Sequence, residues 1–500
     1  FEKFNGMFAI AIYDEVKHEL VLARDLAGIK PLYYYHQQQQ FVFASEVKAF
    51  EKSGISFQDD INWKIYFLSF GFIPEPYTTL HQVQSLEPGV VLTYHLKQNQ
   101  VSKYQFDRID FSEELRHEEE IYQLVNRSLS ASVQRHLISD APIGVFLSGG
   151  IDSSIISILA AQNTKQQIQT LSVSFKEHAY DESRYQKLIQ QQINSKHTHY
   201  SITKADYLAA LPQLQHAFDQ PSNDAINSWF ITRCAKQHGL KAVLSGLGGD
   251  ELFGGYHHHS RMLWMQQNLG RLPLFLRQGV ARSAEKFLPV GFKGRNWAQG
   301  LGVDLDKDLP VIASCFDDKL RSSLLQKRAN WPLVAESVRK ARTPSQTNIL
   351  QRVTRMDFAN FMAEGVLVKV DRASMLSSLE VRSPLLDHRM IEFAFGKVPS
   401  RLKATPTEKK ILLKRLCSRL LPPEFDLQRK QGFSIPMNVW LKGGPFRTLF
   451  DDVLRDPQCS FDAQTVNKLM RDQDKGHFNG ERLFGLVMFE LWRREYGISF

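Results

Sequence analysis

Two glycine-rich turns, each closing on an acid, are the parts of this 500-residue chain best equipped for chemistry. In Val145-Phe146-Leu147-Ser148-Gly149-Gly150-Ile151-Asp152-Ser153-Ser154 an apolar, strand-like run stops at two glycines, and a helix-like pattern (Ile155, Ile156, Leu159) follows at once. Glycines let successive backbone N–H groups converge on an anion, and the start of a helix adds a partial positive charge. No Gly-Lys-Ser/Thr follows, so this is not the common nucleotide loop with its phosphate-reaching lysine. The second turn, Ser245-Gly246-Leu247-Gly248-Gly249-Asp250-Glu251, runs on into Leu252-Phe253-Gly254-Gly255-Tyr256 and offers the same close backbone approach. Two acids facing one polyphosphate would repel it without a cation between them. Asp152 and Asp250 are therefore candidate Mg2+ ligands, with water and phosphate oxygens completing the octahedron.

A third cluster supplies cations. Lys369-Val370-Asp371-Arg372-Ala373-Ser374 and Val381-Arg382-Ser383-Pro384 are expected on either side of a short apolar helix, and Glu408-Lys409-Lys410 and Arg429-Lys430-Gln431-Gly432 come later. Positioned Lys and Arg stabilise the charge that develops on a departing phosphate group. The triplet His257-His258-His259 is too tightly spaced for three rings to face one metal and is expected in a polar loop. Cys234, Cys315, Cys417 and Cys459 are far apart with no C-x-x-C pair, which suggests free thiols in a reducing cytoplasm.

These groups need elements to hold them. Residues 1–50 read as short strands: Leu20–Asp25 pairs with the run around Phe8–Tyr13, and Leu32–Tyr35 with Phe41–Ala44 across the polar tract Gln37–Gln40. Residues 61–71 read as a helix, and Glu87-Pro88-Gly89 turns into a strand at 90–94. The charged run Glu113–Glu120 marks entry to a second domain. There a helix (121–137), a strand (143–147), a helix (153–162), a strand (169–175), a helix (182–192), a strand (197–202), a helix (228–238) and a strand (241–245) alternate. Such alternation predicts an α/β fold with a doubly wound parallel sheet, its ligand beyond the carboxyl ends of the strands where strand order reverses. Residues 260–500 read as mostly helical.

The apolar share of 43% and charged share of 23% are those of an ordinary globular protein, and no apolar run approaches the ~20 residues that span a bilayer. The net charge of +9 is spread along the chain, so a phosphate-rich small substrate accounts for a basic cleft without nucleic acid. Neither nucleic acid nor membrane is an expected partner, and a homodimer is allowed for. The chain opens without methionine on Asn5–Asp14, which reads as a buried strand, so a fragment lacking its true N-terminus is expected.

The ordered set N-G-M-F-A, A-R-D-x-x-G-I-K-P-L-Y-Y, A-S-E-V-K-A, S-G-G-I-D-S-S, S-G-L-G-G-D-E-L-F-G-G-Y, V-D-R-A-S-M and V-R-S-P-L-L-D resembles the glutamine-hydrolysing asparagine synthetases over nearly the whole chain. The resemblance implies an N-terminal remnant of an antiparallel β-sandwich glutaminase domain over 1–110, followed by an ATP-pyrophosphatase synthetase domain over 111–500. It also implies a cytoplasmic ligase that uses Mg-ATP to adenylate aspartate and lets glutamine-derived or free ammonia attack the anhydride, giving asparagine, AMP and pyrophosphate. By motif position Leu147, Val173, Ser245 and Gly246 would contact the nucleotide, while Ser148, Gly149, Gly150, Asp152 and Ser153 would hold pyrophosphate and metal. Asp250, Lys409, Lys430 and Arg382 would be further catalytic partners. Two departures stand out. The family's N-terminal cysteine nucleophile is not among the four cysteines here, so residues 1–110 are not expected to hydrolyse glutamine. Where well-known members carry glutamate this chain has Leu247, which leaves open another acceptor carboxylate, such as a sugar uronate or a peptide.

Overall fold

The computed structural model describes residues 1–106, 115–175, 183–223, 226–305, 316–326, 341, 348–428 and 435–498. The first hundred residues form two antiparallel sheets. β1 (Ala9–Asp14) and β2 (Glu19–Arg24) pair through the polar turn between them, with Ala9 opposite Arg24. β3 (Tyr33–Gln37) and β4 (Gln40–Ala44) form the second hairpin, joined by β5 (Gln84–Ser85). β6 (Val90–His95) and β7 (Gln100–Gln105) complete a sheet of order β1-β2-β6-β7. Leu22, Leu32, Tyr34, Leu92 and Tyr94, drawn from both sheets and the chain leading into β3, share one buried cluster, as in a sandwich.

Between these strands, helix α1 (Trp63–Phe70) leaves the sandwich and enters the core of the rest of the chain. Trp63 stacks on Phe489 (4.8 Å) and meets Trp492 edge-on (5.2 Å), both on the helix Gly480–Glu495. Arg24, fully buried, reaches Glu75 (3.1 Å) and Glu364 (3.3 Å), Lys30 pairs with Asp371 (2.9 Å), and Arg372 donates to both Asp219 and the Ser45 carbonyl. The A-R-D-x-x-G-I-K and A-S-E motifs thus clamp the sandwich to its neighbour.

That neighbour is a five-stranded parallel sheet of β8 (Ile143–Phe146), β9 (Gln169–Phe175), β10 (Lys196–Ile202), β11 (Ala242–Leu244) and β12 (Glu380–Arg382), in the order β10-β9-β8-β11-β12. Helices α2 (Glu118–His136), α3 (Ile151–Gln162), α4 (Ser183–Ile193), α5 (Lys204–Ala217) and α6 (Ile226–Gln237) supply the crossovers and faces. Side chains alternate across the sheet: Leu244 joins the α2–α3 core, while Val243 packs with Cys234 and Ala235 of α6. The chain winds outward from β8 to β10, then returns to place β11 on the other side of β8, so strand order reverses between β8 and β11.

Two elements differ from expectation. Lys369–Ser374 does not flank a helix; it lies within one, Val368–Met375, and Val381-Arg382 belongs to the fifth strand. A three-residue strand has too short a pattern to announce itself, and only pairing with β11 defines it. α5 begins at Thr203 with a reciprocal capping box to Asp206. Among the described residues no helix is long and apolar enough to cross a membrane.

Candidate active site

The turn after β8 and the turn after β11 meet at the reversal point. A Cβ on Gly246 would lie 2.8 Å from the Asp152 Cβ and from the Ser153 nitrogen, and one on Gly249 would lie 2.6 Å from the Asp152 carboxyl carbon. Only glycine lets the second turn lie this close to the first. Gly149 (φ +85°) and Gly248 (φ +97°) add left-handed turns that a side chain would strain. Within the first turn the Ser153 hydroxyl accepts from the Ser148 N–H (3.2 Å) and donates to the Gly150 carbonyl (3.1 Å). This fixes the loop at the head of α3, whose first-turn amides face the opening.

Asp152 sits in the first turn of α3 and Asp250 in the first turn of a short helix α7 (Gly249–Phe253). A cation does lie between them, and it is Lys410: its Nζ is 2.8 Å from Asp250 Oδ1 and also bonds Asp152 Oδ2. Burial works against that ammonium, but Asp152 and Asp250 outweigh it and hold the lysine above its usual range. Both turns, Lys409, Lys410 and Lys414 line one cavity of about 370 Å³. That lies within the range of ordinary ligand pockets. Its apolar wall comes from Leu147, Val173, Ile231, Val370 and Val381, and Leu247 borders it.

Leu147, Ser148, Gly150, Asp152, Ser153, Val173, Ser245, Gly246, Asp250 and Lys409 all line this cavity, and Gly149 belongs to the same turn. Lys409 itself turns to the imidazole of His257 (3.1 Å). Arg382 is elsewhere. Val381 faces the cavity, so the next residue of the strand must face away. The Arg382 guanidinium donates to the carbonyls of His136 (2.7 Å) and Ile138 (2.8 Å) and pairs with Glu380 (3.0 Å). Lys430 lies outside the described residues. Reading by sequence placed Lys410 in the cation cluster but gave the role to Lys409, and it assigned no part to Val370 or to the α6 side chains Ser228 and Thr232, all of which border the cavity. The doubled lysine Lys409-Lys410 was the only signal for Lys410.

Behind the second turn Tyr256 donates its hydroxyl to Glu251, a buried acid whose pKa burial and the neighbouring Asp250 push up to about 7. His257–Leu269 form a helix α8 rather than a loop, and the Nε2 atoms of His258 and His259 each lie 2.7 Å from Asp357 Oδ2. Cys315 lies outside the described residues, Cys234, Cys417 and Cys459 are free, and burial raises all three thiols, that of Cys459 to about 11. Such thiols are structural rather than nucleophilic.

Hard carboxylate oxygens from Asp152 and Asp250, with a lysine and helix-head amides around a glycine cradle, suit a magnesium-bound polyphosphate. A Cβ on Gly255 would fall 1.8 Å from Asp250 Oδ1 and 2.2 Å from Lys410 Cε, so the cradle tolerates no side chain there.

A family model described as asparagine synthase matches residues 124–494, and one described as a glutamine amidotransferase domain matches residues 1–105. Asparagine synthetase [glutamine-hydrolyzing] 1 of Bacillus subtilis is 30% identical over 98% of this chain and 77% of its own length. A putative asparagine synthetase of Mycobacterium bovis is 28% identical over 98% of this chain and 76% of its own. The protein named Amidase chyE of Penicillium rubens is 24% identical over 88% and 71%.

Proposed function

Because the chain belongs to the asparagine synthase family, whose members are glutamine-dependent amide-forming ligases that use ATP, we propose that it converts aspartate to asparagine through a β-aspartyl-AMP intermediate. A carboxylate is a poor electrophile until AMP becomes its leaving group. Ammonia can then attack, and pyrophosphate and AMP leave as products. The observation that carries this reading is the meeting of the two glycine turns around Asp152, Asp250 and Lys410 in one cavity.

In this reading the β8 turn and the head of α3 cradle the pyrophosphate portion of ATP. Lys410 offsets the charge that grows there as the α–β phosphate bond breaks. Asp152 and Asp250 would hold Mg2+, which when bound supplies further neutralisation of the phosphate oxygens. Ser245, Gly246, Leu147 and Val173 would border the rest of the nucleotide. Residues 1–110 are read as part of a glutamine amidotransferase domain and 111–500 as the synthetase domain.

A second reading, another carboxylate as acceptor, is favoured by Leu247, which borders the cavity with a side chain unable to take a proton or charge. ATP–pyrophosphate exchange across aspartate, uronates and peptides separates the two. Aspartate-stimulated exchange is expected. Exchange stimulated by a uronate and not by aspartate would transfer the assignment, and no exchange with any carboxylate would remove both.

A further inference from the structure

The helix Leu274–Phe287 turns a face outward that a globular surface would normally hide. Phe275, Leu276, Val280 and Phe287 on the helix, with Leu272 before it and Phe292 after it, are each between 45% and 73% exposed. Single exposed apolar residues are commonplace, but six within 21 positions make a patch that marks an interaction surface. The opposite face is tied down. Ala284 is buried, and the Arg277 guanidinium donates to the carbonyls of Val303 (3.0 Å) and Leu301 (3.4 Å). The apolar face is therefore held outward by its own anchoring.

The same stretch is strongly basic. Arg271, Arg282, Lys286 and Lys293 are exposed around the apolar side chains, and Glu285 is the sole acid from 271 to 295. None of these four cations has an ion-pair partner among the described residues. On the helix, Arg282, Phe275 and Lys286 lie along one side of the outward face, and Leu276, Phe287 and Val280 along the other, as 100° per residue dictates. Aromatic and aliphatic side chains bordered by Lys and Arg, on a fixed helix lying along the surface, suit the boundary between headgroups and acyl chains of an anionic bilayer. A second copy fits less well, because a two-fold contact through this face would bring the four exposed cations of each copy against one another.

We propose that this helix docks the protein on anionic membrane surfaces, inserting Phe275 and Phe287 while its basic residues engage lipid phosphates. That no helix among the described residues is long and apolar enough to cross a membrane says nothing against contact along one. α8 leads from the Asp250 turn toward this patch, and its 13 residues set a separation of about 20 Å along that helix.

Flotation of the full chain with vesicles of phosphatidylcholine alone, or mixed with phosphatidylglycerol, tests this. Binding to the mixed vesicles, weakened by salt and absent with phosphatidylcholine alone, is expected. Arg282→Glu with Lys286→Glu should weaken it roughly tenfold or more, and Phe275→Ser with Phe287→Ser should abolish it. Unchanged ATP–pyrophosphate exchange and melting in both variants show that the fold is intact. No flotation with anionic vesicles, or flotation indifferent to both variants, overturns the proposal. So does a concentration-dependent dimer in sedimentation velocity that Phe275→Ser with Phe287→Ser dissolves, which would give the patch to a second copy.

Discussion

At residue 410 the backbone takes a left-handed conformation (φ 53°, ψ 38°) just before the helix Ile411–Leu420, and that twist carries its ammonium inward onto two acids. Lys409, one residue earlier, also lines the cavity, but its ammonium turns to the imidazole of His257. Lys410→Met is therefore expected to lower the rate of ATP–pyrophosphate exchange by about 10²–10³-fold, the scale of losing one positioned charge-stabilising group. Lys409→Met should change it only a few-fold. Equal effects of the two would place the working cation elsewhere. Glu251 supplies a test by pH. Its pKa, raised to about 7, means that the folded protein keeps a proton between about pH 4.5 and 7 that the unfolded chain releases. Stability from this group thus falls as pH rises through that window, by about 3 kcal/mol at full extent. Glu251→Gln stays neutral and still accepts from Tyr256, so its urea-unfolding midpoint should gain on the parent as pH rises from 5 to 8 by this estimate. A constant difference would mean that Glu251 is ionised throughout. Asp357 acts in the other sense. Burial opposes its charge, but His258 and His259 outweigh that and hold it well below the usual carboxylate range, so its contribution is lost only in strong acid.

Strand β12 shows what one element contributes. Val381 walls the cavity while Arg382 ties the strand to the end of α2 through two carbonyls. Arg382→Ala should lower stability by about 1–3 kcal/mol, from two unsatisfied carbonyl partners and a broken pair. The KM for ATP should stay unchanged, and a large rise in it would return Arg382 to the nucleotide pocket. Sequence reading had put Arg382 in that pocket because a motif is linear, whereas the alternation of a strand sends adjacent residues to opposite faces. The elements that were legible had strong patterns. The hairpins β1–β2 and β3–β4 have polar turns between apolar runs, and β8 to β11 alternate with helices long enough to show their period. The two turns were legible because glycines and acids are conspicuous. The places of Lys410, Val370 and Thr232 in the cavity were not, because what brings them there is a left-handed residue, a helix read as a flank, and the packing of α6 against the sheet. None of these is written in local composition.

At the scale of the molecule, Arg24 joins the sandwich to the synthetase half with its side chain fully buried. Its guanidinium bonds Glu75, Glu364, Ser85 and the Leu86 carbonyl. Arg24→Met would leave Glu75 and Glu364 facing each other in the interior, and breaking such a buried pair costs about 3–5 kcal/mol. A fall of that size in unfolding free energy is expected. A neutral result would show that water or protonation relieves the acids. The Val368–Met375 helix couples this seam to the site, since Asp371 meets Lys30 and Arg372 meets the Ser45 carbonyl while Val370 borders the cavity.

The helix Trp63–Phe70 gives this arrangement a practical meaning. An engineer who cut the chain near residue 110 to fit the synthetase with a different ammonia donor would pull a tryptophan and three aromatic neighbours out of the far half's interior. The socket left around Phe489 and Trp492 would be greasy and open. A workable transplant has to carry that helix along, so the border that matters for recombination runs through three dimensions and is invisible on a linear map.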